Sequence, residues 1–130
     1  MTHEATFRVY YEDTDMAGVV YYANYLKFIE RARSDALRQA GIDQRAMREE
    51  GLVFVVTRVE ADYLVPARYE DLLRVVTETA EVKGASAVLR QTIWRAETLL
   101  FQSVVRFACM NVSGKPVRMP SETRVALAEI

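Results

Sequence analysis

The chain carries one cysteine, Cys109, and one histidine, His3, among its 130 residues. A disulfide within the chain is therefore excluded, and a His/Cys metal centre lacks its ligands. A Ser–His–Asp or Cys–His nucleophile would have to recruit His3, in an N-terminal segment expected to be loosely held. Glycine, at 5, and proline, at 3, are too few for collagen-like or low-complexity structure. No run approaches the roughly 18 apolar residues of a membrane-spanning helix. Residues 1–6 lack a basic stretch followed by an apolar one, so no signal peptide is expected and the protein is read as cytoplasmic. A basic surplus is missing too, with 17 Lys and Arg against 18 Asp and Glu. A dedicated DNA or RNA binder usually carries such a surplus, so no nucleic-acid partner is expected. The chemistry that remains belongs to carboxylates, tyrosines, basic side chains and backbone N–H groups.

What is present suits a packed core. Hydrophobic residues make up 51% and charged residues 27% of 14.9 kDa, the size of one domain spanning residues 1–130. Thr6–Glu12 alternates in polarity and predicts a strand. From Tyr22 to Ala40 the period changes: Tyr22, Tyr25, Leu26, Ile29, Ala32, Ala36, Leu37 and Ala40 form one helical stripe closed by Gly41. Arg31 and Asp35 are spaced for a weak pair on its other side. Asp43–Glu50 predicts a short helix capped by Asp43. Leu52–Val65, Leu72–Val82, Ala85–Ala96 and Leu99–Val112 predict four long strands in meander order, and Val117–Ile130 stays unassigned. Long antiparallel strands with one apolar face need a cover, and the one long helix supplies it. The expected fold is α+β, a five-stranded antiparallel sheet wrapped around one helix, the hot-dog arrangement. Its edge strands call for a second subunit.

The segment with chemical content is Tyr10-Tyr11-Glu12-Asp13-Thr14-Asp15-Met16-Ala17-Gly18-Val19-Val20-Tyr21-Tyr22-Ala23-Asn24-Tyr25. It sets carboxylates and a glycine just before a helix start. Such a start presents unpaired N–H groups and a partial positive charge, which stabilise a developing oxyanion. Asp15 beside it is a candidate nucleophile or general base. Asp, Thr and Gly ahead of a helix are also ordinary turn and capping residues.

The run Tyr-x-Asp-Thr-Asp-x-x-Gly-Val-Val-Tyr, with Tyr25 and Glu30-Arg31-Ala32-Arg33, resembles the signature of hot-dog acyl-CoA thioesterases. The resemblance is to the 4-hydroxybenzoyl-CoA thioesterase-like group and, within it, the Tol-Pal-associated acyl-CoA thioesterases. It extends to Leu52-Val53-Phe54-Val55-Val56, to Tyr63–Arg68 and to the Lys83-Gly84 turn. It implies that Asp15 is the catalytic aspartate, attacking the thioester or activating water. It also implies that the Tyr22 backbone N–H holds the thioester oxygen, with Gly18 in the turn between them where a side chain would crowd the substrate. The Tol-Pal-associated group often has His where this chain has Tyr22, so no imidazole assists from that position.

Other residues are candidates for substrate binding. Tyr10 is placed near Asp15, and Val56 and Thr57 along an acyl tunnel. Coenzyme A carries phosphates, so basic residues should ring the pocket mouth. The resemblance implies that Lys83 and Ser86, in the hairpin the family uses near the nucleotide, lead that set, with Arg68, Arg90, Lys115 and Arg118 behind them. Each is equally placed to be an ordinary core or surface residue. Glu30 and Arg33 have the spacing of a helix-surface pair. Cys109 reads as a small buried hydrophobe. The expected protein is a thioester hydrolase acting on acyl-CoA, or on acyl carrier protein as the alternative donor, in a homodimer or homotetramer. It needs no metal and no cofactor beyond the coenzyme A of its substrate. A hot-dog dehydratase would need a His–acid pair and has only His3. A non-catalytic acyl-thioester-binding or scaffold protein would keep the fold without needing Asp15.

Overall fold

The computed structural model describes residues 2–130. The chain runs through β1 (His3–Arg8), a 3-10 turn (Tyr11–Asp13), α1 (Asn24–Gln39), α2 (Gln44–Glu49), β2 (Val53–Tyr63), β3 (Leu72–Val82), β4 (Ser86–Arg95), β5 (Thr98–Met110) and α3 (Ser121–Ala128). One antiparallel sheet holds all five strands in the order β1-β3-β4-β5-β2. α1 lies across β1, β3 and β4, which gives the hot-dog arrangement.

Several sequence expectations need correction. The meander holds only for β3, β4 and β5. β2 does not neighbour β3 but closes the far edge against β5, pairing Val53 with Met110 and Tyr63 with Phe101. β1 lies earlier than Thr6–Glu12, because the Asp13 carboxylate accepts the Tyr10 N–H at 2.8 Å and curls the chain into the 3-10 turn. His3 is consequently not in a loose tail; it pairs opposite Thr77 in β3. α1 begins at Asn24, with Ala23 as N-cap, so Tyr22 precedes the helix. The unassigned tail contains α3, which starts after Pro120 and buries Thr123 and Leu127.

The core has two apolar clusters. Tyr25, Phe28 and Ile29 of α1 pack on Leu73, Val75, Ile93 and Phe101. Ala36 and Leu37 join Met47, Leu89, Phe107, Met119 and Leu127. A row of buried polar residues, Thr77, Gln91 and Ser103, crosses three neighbouring strands in register. Arg33 reaches inward to this row, with Nη1 donating to Gln91 Oε1 at 2.9 Å. The expected Glu30–Arg33 surface pair does not form, and Glu30 instead accepts from Ser34 Oγ at 2.7 Å. Asp35 pairs with Arg38 at 2.8 Å rather than with Arg31. Burial lowers the Arg33 pKa from its ordinary value, and nearby Glu30 opposes the shift.

β2 differs from its neighbours. Its residues from Val55 to Glu60 are all exposed, among them Val56 and Val59 on the helix-facing side. Thr57 sits at a bulge where the register with β5 slips.

Candidate active site

Asp15 stands on a tight hairpin made by its own backbone. Its N–H donates to Val19 O at 2.9 Å, and its carbonyl accepts the Gly18 N–H at 3.0 Å. Thr14 and Val20 pair across the same turn. Gly18 has φ +78, the left-handed region that favours glycine, and a Cβ there would meet nothing within 4 Å. The turn thus requires glycine for its backbone conformation. Asp15 Oδ1 accepts the Ala17 N–H at 2.9 Å. Among the described residues nothing is hydrogen bonded to Oδ2, which faces solvent with the rest of this exposed residue.

The returning arm is fastened at both ends. Val20 N–H donates to Ala67 O at 2.8 Å, and Ala67 N–H donates to Tyr25 Oη at 3.0 Å. Asp13 O accepts two bonds at 3.0 Å, from Tyr21 N–H and from Asn24 Nδ2. Asn24 therefore ties the acidic loop to the helix start. Tyr21 O accepts the Asn24 N–H at 2.8 Å. Among the described residues, the Tyr22 N–H has no acceptor. Tyr22 follows Val19, the residue opposite Asp15, by three positions, or roughly 10 Å along the arm. One carboxylate oxygen without a protein partner and one free N–H at a helix entrance thus lie, among the described residues, on the one loop between β1 and α1.

Aromatic side chains surround this turn. Tyr25 stacks on Phe101 at 5.2 Å, and the Tyr63 ring meets Tyr25 and Phe101 edge-on at 5.1 Å each. Burial raises the Tyr25 pKa, against the lowering effect of its bond from Ala67, and burial raises that of Tyr63 as well. Both hydroxyls stay protonated at neutral pH. Tyr10, Tyr22 and Met16 stand open to solvent.

The remaining candidates lie elsewhere. Val56 lines a groove of about 340 Å³ between α1 and β2 with Glu30, Arg33, Leu37, Phe54 and Phe107. Lys83 and Ser86 flank the β3–β4 turn, whereas the Asp15 turn is pinned near Arg68, ahead of the first residue of β3. Eleven residues of β3 separate the two, roughly 30 Å, so one chain does not bring them together. At the β3–β4 turn Arg118 lies against Gly84, where a Cβ would come 2.9 Å from Nη1, so two basic side chains share that end. Lys83 is 3.7 Å from Glu81, and Arg90 is 3.9 Å from Glu78. His3 lies five residues up β1 from Arg8, about 17 Å from the strand end that leads to Asp15. Asn24, Tyr63 and Ala67 are site-building residues that sequence reasoning missed. Their partners are 11 to 42 residues away, and no local pattern signals them.

The profile of the thioesterase superfamily matches residues 17–101. This chain belongs to that superfamily. The matched span begins two positions after Asp15 and includes Tyr22 and Tyr63. The thioesterase is 46% identical over 121 residues to the acyl-CoA thioesterase YbgC of Haemophilus influenzae, covering 92% of this chain and 89% of that one. It is 44% identical over 115 residues to the acyl-CoA thioester hydrolase YbgC of Escherichia coli, covering 87% and 86%. A probable thioesterase from Bartonella henselae superposes with a TM-score of 0.88 at 39% identity, over 92% of this chain and all of that one.

The thioesterase keeps its one thiol out of reach. Cys109 is fully buried in β5, and burial raises its pKa, so neither exposure nor ionisation makes it a nucleophile. Titrating the native protein with a thiol-reactive dye should read almost no rapid reaction, and denatured protein should read one thiol per chain. A fast native thiol would place Cys109 outside the core.

Proposed function

We propose that the protein hydrolyses an acyl-CoA thioester to the free acid and coenzyme A, using Asp15 and the Tyr22 backbone N–H. The observation that carries this reading is their place on one loop, between β1 and α1: among the described residues Asp15 Oδ2 has no protein partner, and the Tyr22 N–H has no acceptor. The thioester carbonyl oxygen accepts from Tyr22 N–H as it gains negative charge. The Asp15 carboxylate either attacks the carbonyl carbon or takes a proton from the water that does. The C–S bond breaks and the thiol leaves as coenzyme A; if Asp15 attacks, water then cleaves the resulting acyl–Asp15 anhydride to release the acid and restore the carboxylate, and if Asp15 acts as base, water adds directly. The names of the two YbgC relatives, both at 44% identity or more, support an acyl-CoA substrate.

The working form is a homodimer or larger even assembly in the cytoplasm. Support comes from β2, an eleven-residue edge strand with apolar residues uncovered on its helix-facing side. Such an edge is an association site unless something pairs with it. A second copy would also provide a Lys83–Arg118 end that one chain holds far from its own Asp15.

Thiol release from a panel of aliphatic and aromatic acyl-CoAs, run beside light scattering, tests this. Turnover of at least one acyl-CoA, by a particle of at least twice 14.9 kDa, is expected. Tight acyl-CoA binding with no thiol release across the panel would overturn the reading in favour of a binding protein.

A further inference from the structure

One hydrogen bond at the helix entrance belongs to neither the helix nor the sheet. Tyr63 Oη donates to Tyr22 O at 2.9 Å. Tyr22 precedes the N-cap, Ala23, so its carbonyl lies outside the helical ladder and needs a partner from elsewhere. The ladder opens at the N-cap, where Ala23 O accepts the Leu26 N–H at 3.2 Å. Tyr22 is thus held from both sides: Asn24 N–H fixes the carbonyl of the preceding peptide, and Tyr63 fixes its own. The Tyr22 N–H lies in the same plane as Tyr21 O, because the peptide group is planar. The Asn24 bond holds this peptide, the Tyr63 bond holds the next, and with both planes that meet at the Tyr22 Cα held, the N–H keeps one direction.

The Tyr63 ring cannot swing freely. It is wedged edge-on against Tyr25 and Phe101, with Tyr22 at 6.3 Å. It comes from the last residue of β2, 41 positions from Tyr22 in sequence. The edge strand of the sheet thereby sets the geometry of the helix entrance.

We propose that Tyr63 is a positioning residue for thioester hydrolysis, its hydroxyl holding the Tyr22 carbonyl so that the Tyr22 N–H aims at the developing oxyanion. This rests on the reading of Tyr22 N–H as the oxyanion donor. Tyr63 touches no reacting atom; it acts through the orientation of Tyr22. Oxyanion donors are worth most when prealigned, and small displacements of reacting groups are costly to rate.

Tyr63→Phe removes the one hydroxyl and keeps the wedged ring. The expected outcome is a fall in kcat of about tenfold with KM within about twofold of wild type, at an unchanged thermal melting midpoint. A ketone analogue of the substrate, with CH2 in place of the thioester sulfur, gives a second readout by infrared spectroscopy. Its bound carbonyl stretch should be lowered by wild type and lowered less by Tyr63→Phe. A wild-type shift that Tyr63→Phe reproduces in full overturns the positioning role, even if kcat falls. If wild type itself leaves the carbonyl unshifted, the Tyr22 oxyanion assignment fails first and takes the inference with it.

Discussion

Asp15→Asn should lower kcat for acyl-CoA hydrolysis by at least about 10²-fold, with KM little changed and the fold intact. The argument rests on what asparagine keeps and what it loses. Its amide oxygen still accepts the Ala17 N–H that Oδ1 accepts at 2.9 Å, so the turn stays closed. The hairpin bonds of Asp15 to Val19 and Gly18 are main-chain bonds and survive any side chain. The loss is confined to Oδ2, the one oxygen without a protein partner. Nδ2 replaces it, carries no charge, and neither attacks a carbonyl nor takes a proton from water. Asp15 is exposed, so desolvation penalties do not complicate the comparison. Tyr22→Phe in the same assay is the internal control, because the role assigned to residue 22 belongs to its backbone. Equal thiol release by wild type and Asp15→Asn would remove Asp15 from the mechanism.

Gln91→Leu should destabilise the protein by about 3 kcal/mol or more, with a Tm lower by about 10 °C or more. Gln91 is fully buried and serves three elements at once. Its Oε1 accepts from Arg33 Nη1 at 2.9 Å, and its Nε2 donates to Ile29 O at 2.8 Å and to Thr77 Oγ1 at 2.9 Å. Leucine fills a similar volume, so the cost is unsatisfied polarity rather than a cavity. The guanidinium is the serious loss: a part-buried cation is left without its acceptor, and among the described residues no carboxylate lies within salt-bridge reach. Removing both partners should cost less than removing one. The double variant Gln91→Leu/Arg33→Met is therefore expected to recover part of the lost Tm. A Gln91→Leu protein that melts with wild type would mean Arg33 finds solvent or another acceptor at no cost.

Local patterns in the chain disclose much of this architecture. The stripe of Tyr25, Ile29, Ala32 and Ala36 marks α1, and the β-branched runs mark β2 to β5 to within a few residues. The Asp-Thr-Asp run picks out the turn carrying Asp15, because a turn is built by neighbours in sequence. Pairing across the sheet is another matter. That β2 lies beside β5 depends on contacts between residues 38 to 57 positions apart, and the apolar run at residues 52–56 fits either neighbour. Arg33 shows the same limit: its i,i−3 spacing to Glu30 suggests a surface pair, yet its partner Gln91 is 58 residues on. The spacing of Tyr22 matches the stripe and points to the helix. The bonds that Asp13 O accepts from Tyr21 and Asn24 instead hold residue 22 in a turn.

The place of β2 also sets a timetable for the nascent chain. Thirty-five positions separate the last residue of β2, Tyr63, from the first of its partner β5, Thr98. At synthesis rates of about 5–20 residues per second, β2 waits some 2–7 seconds with both edges open. Val53-Phe54-Val55-Val56 is the kind of segment that pairs with whatever strand it meets first. Arg58, Glu60 and Asp62, spaced along the outer side of the same strand, work as gatekeepers during that interval. Their charges guard the unfinished chain on the ribosome as well as decorating the finished sheet.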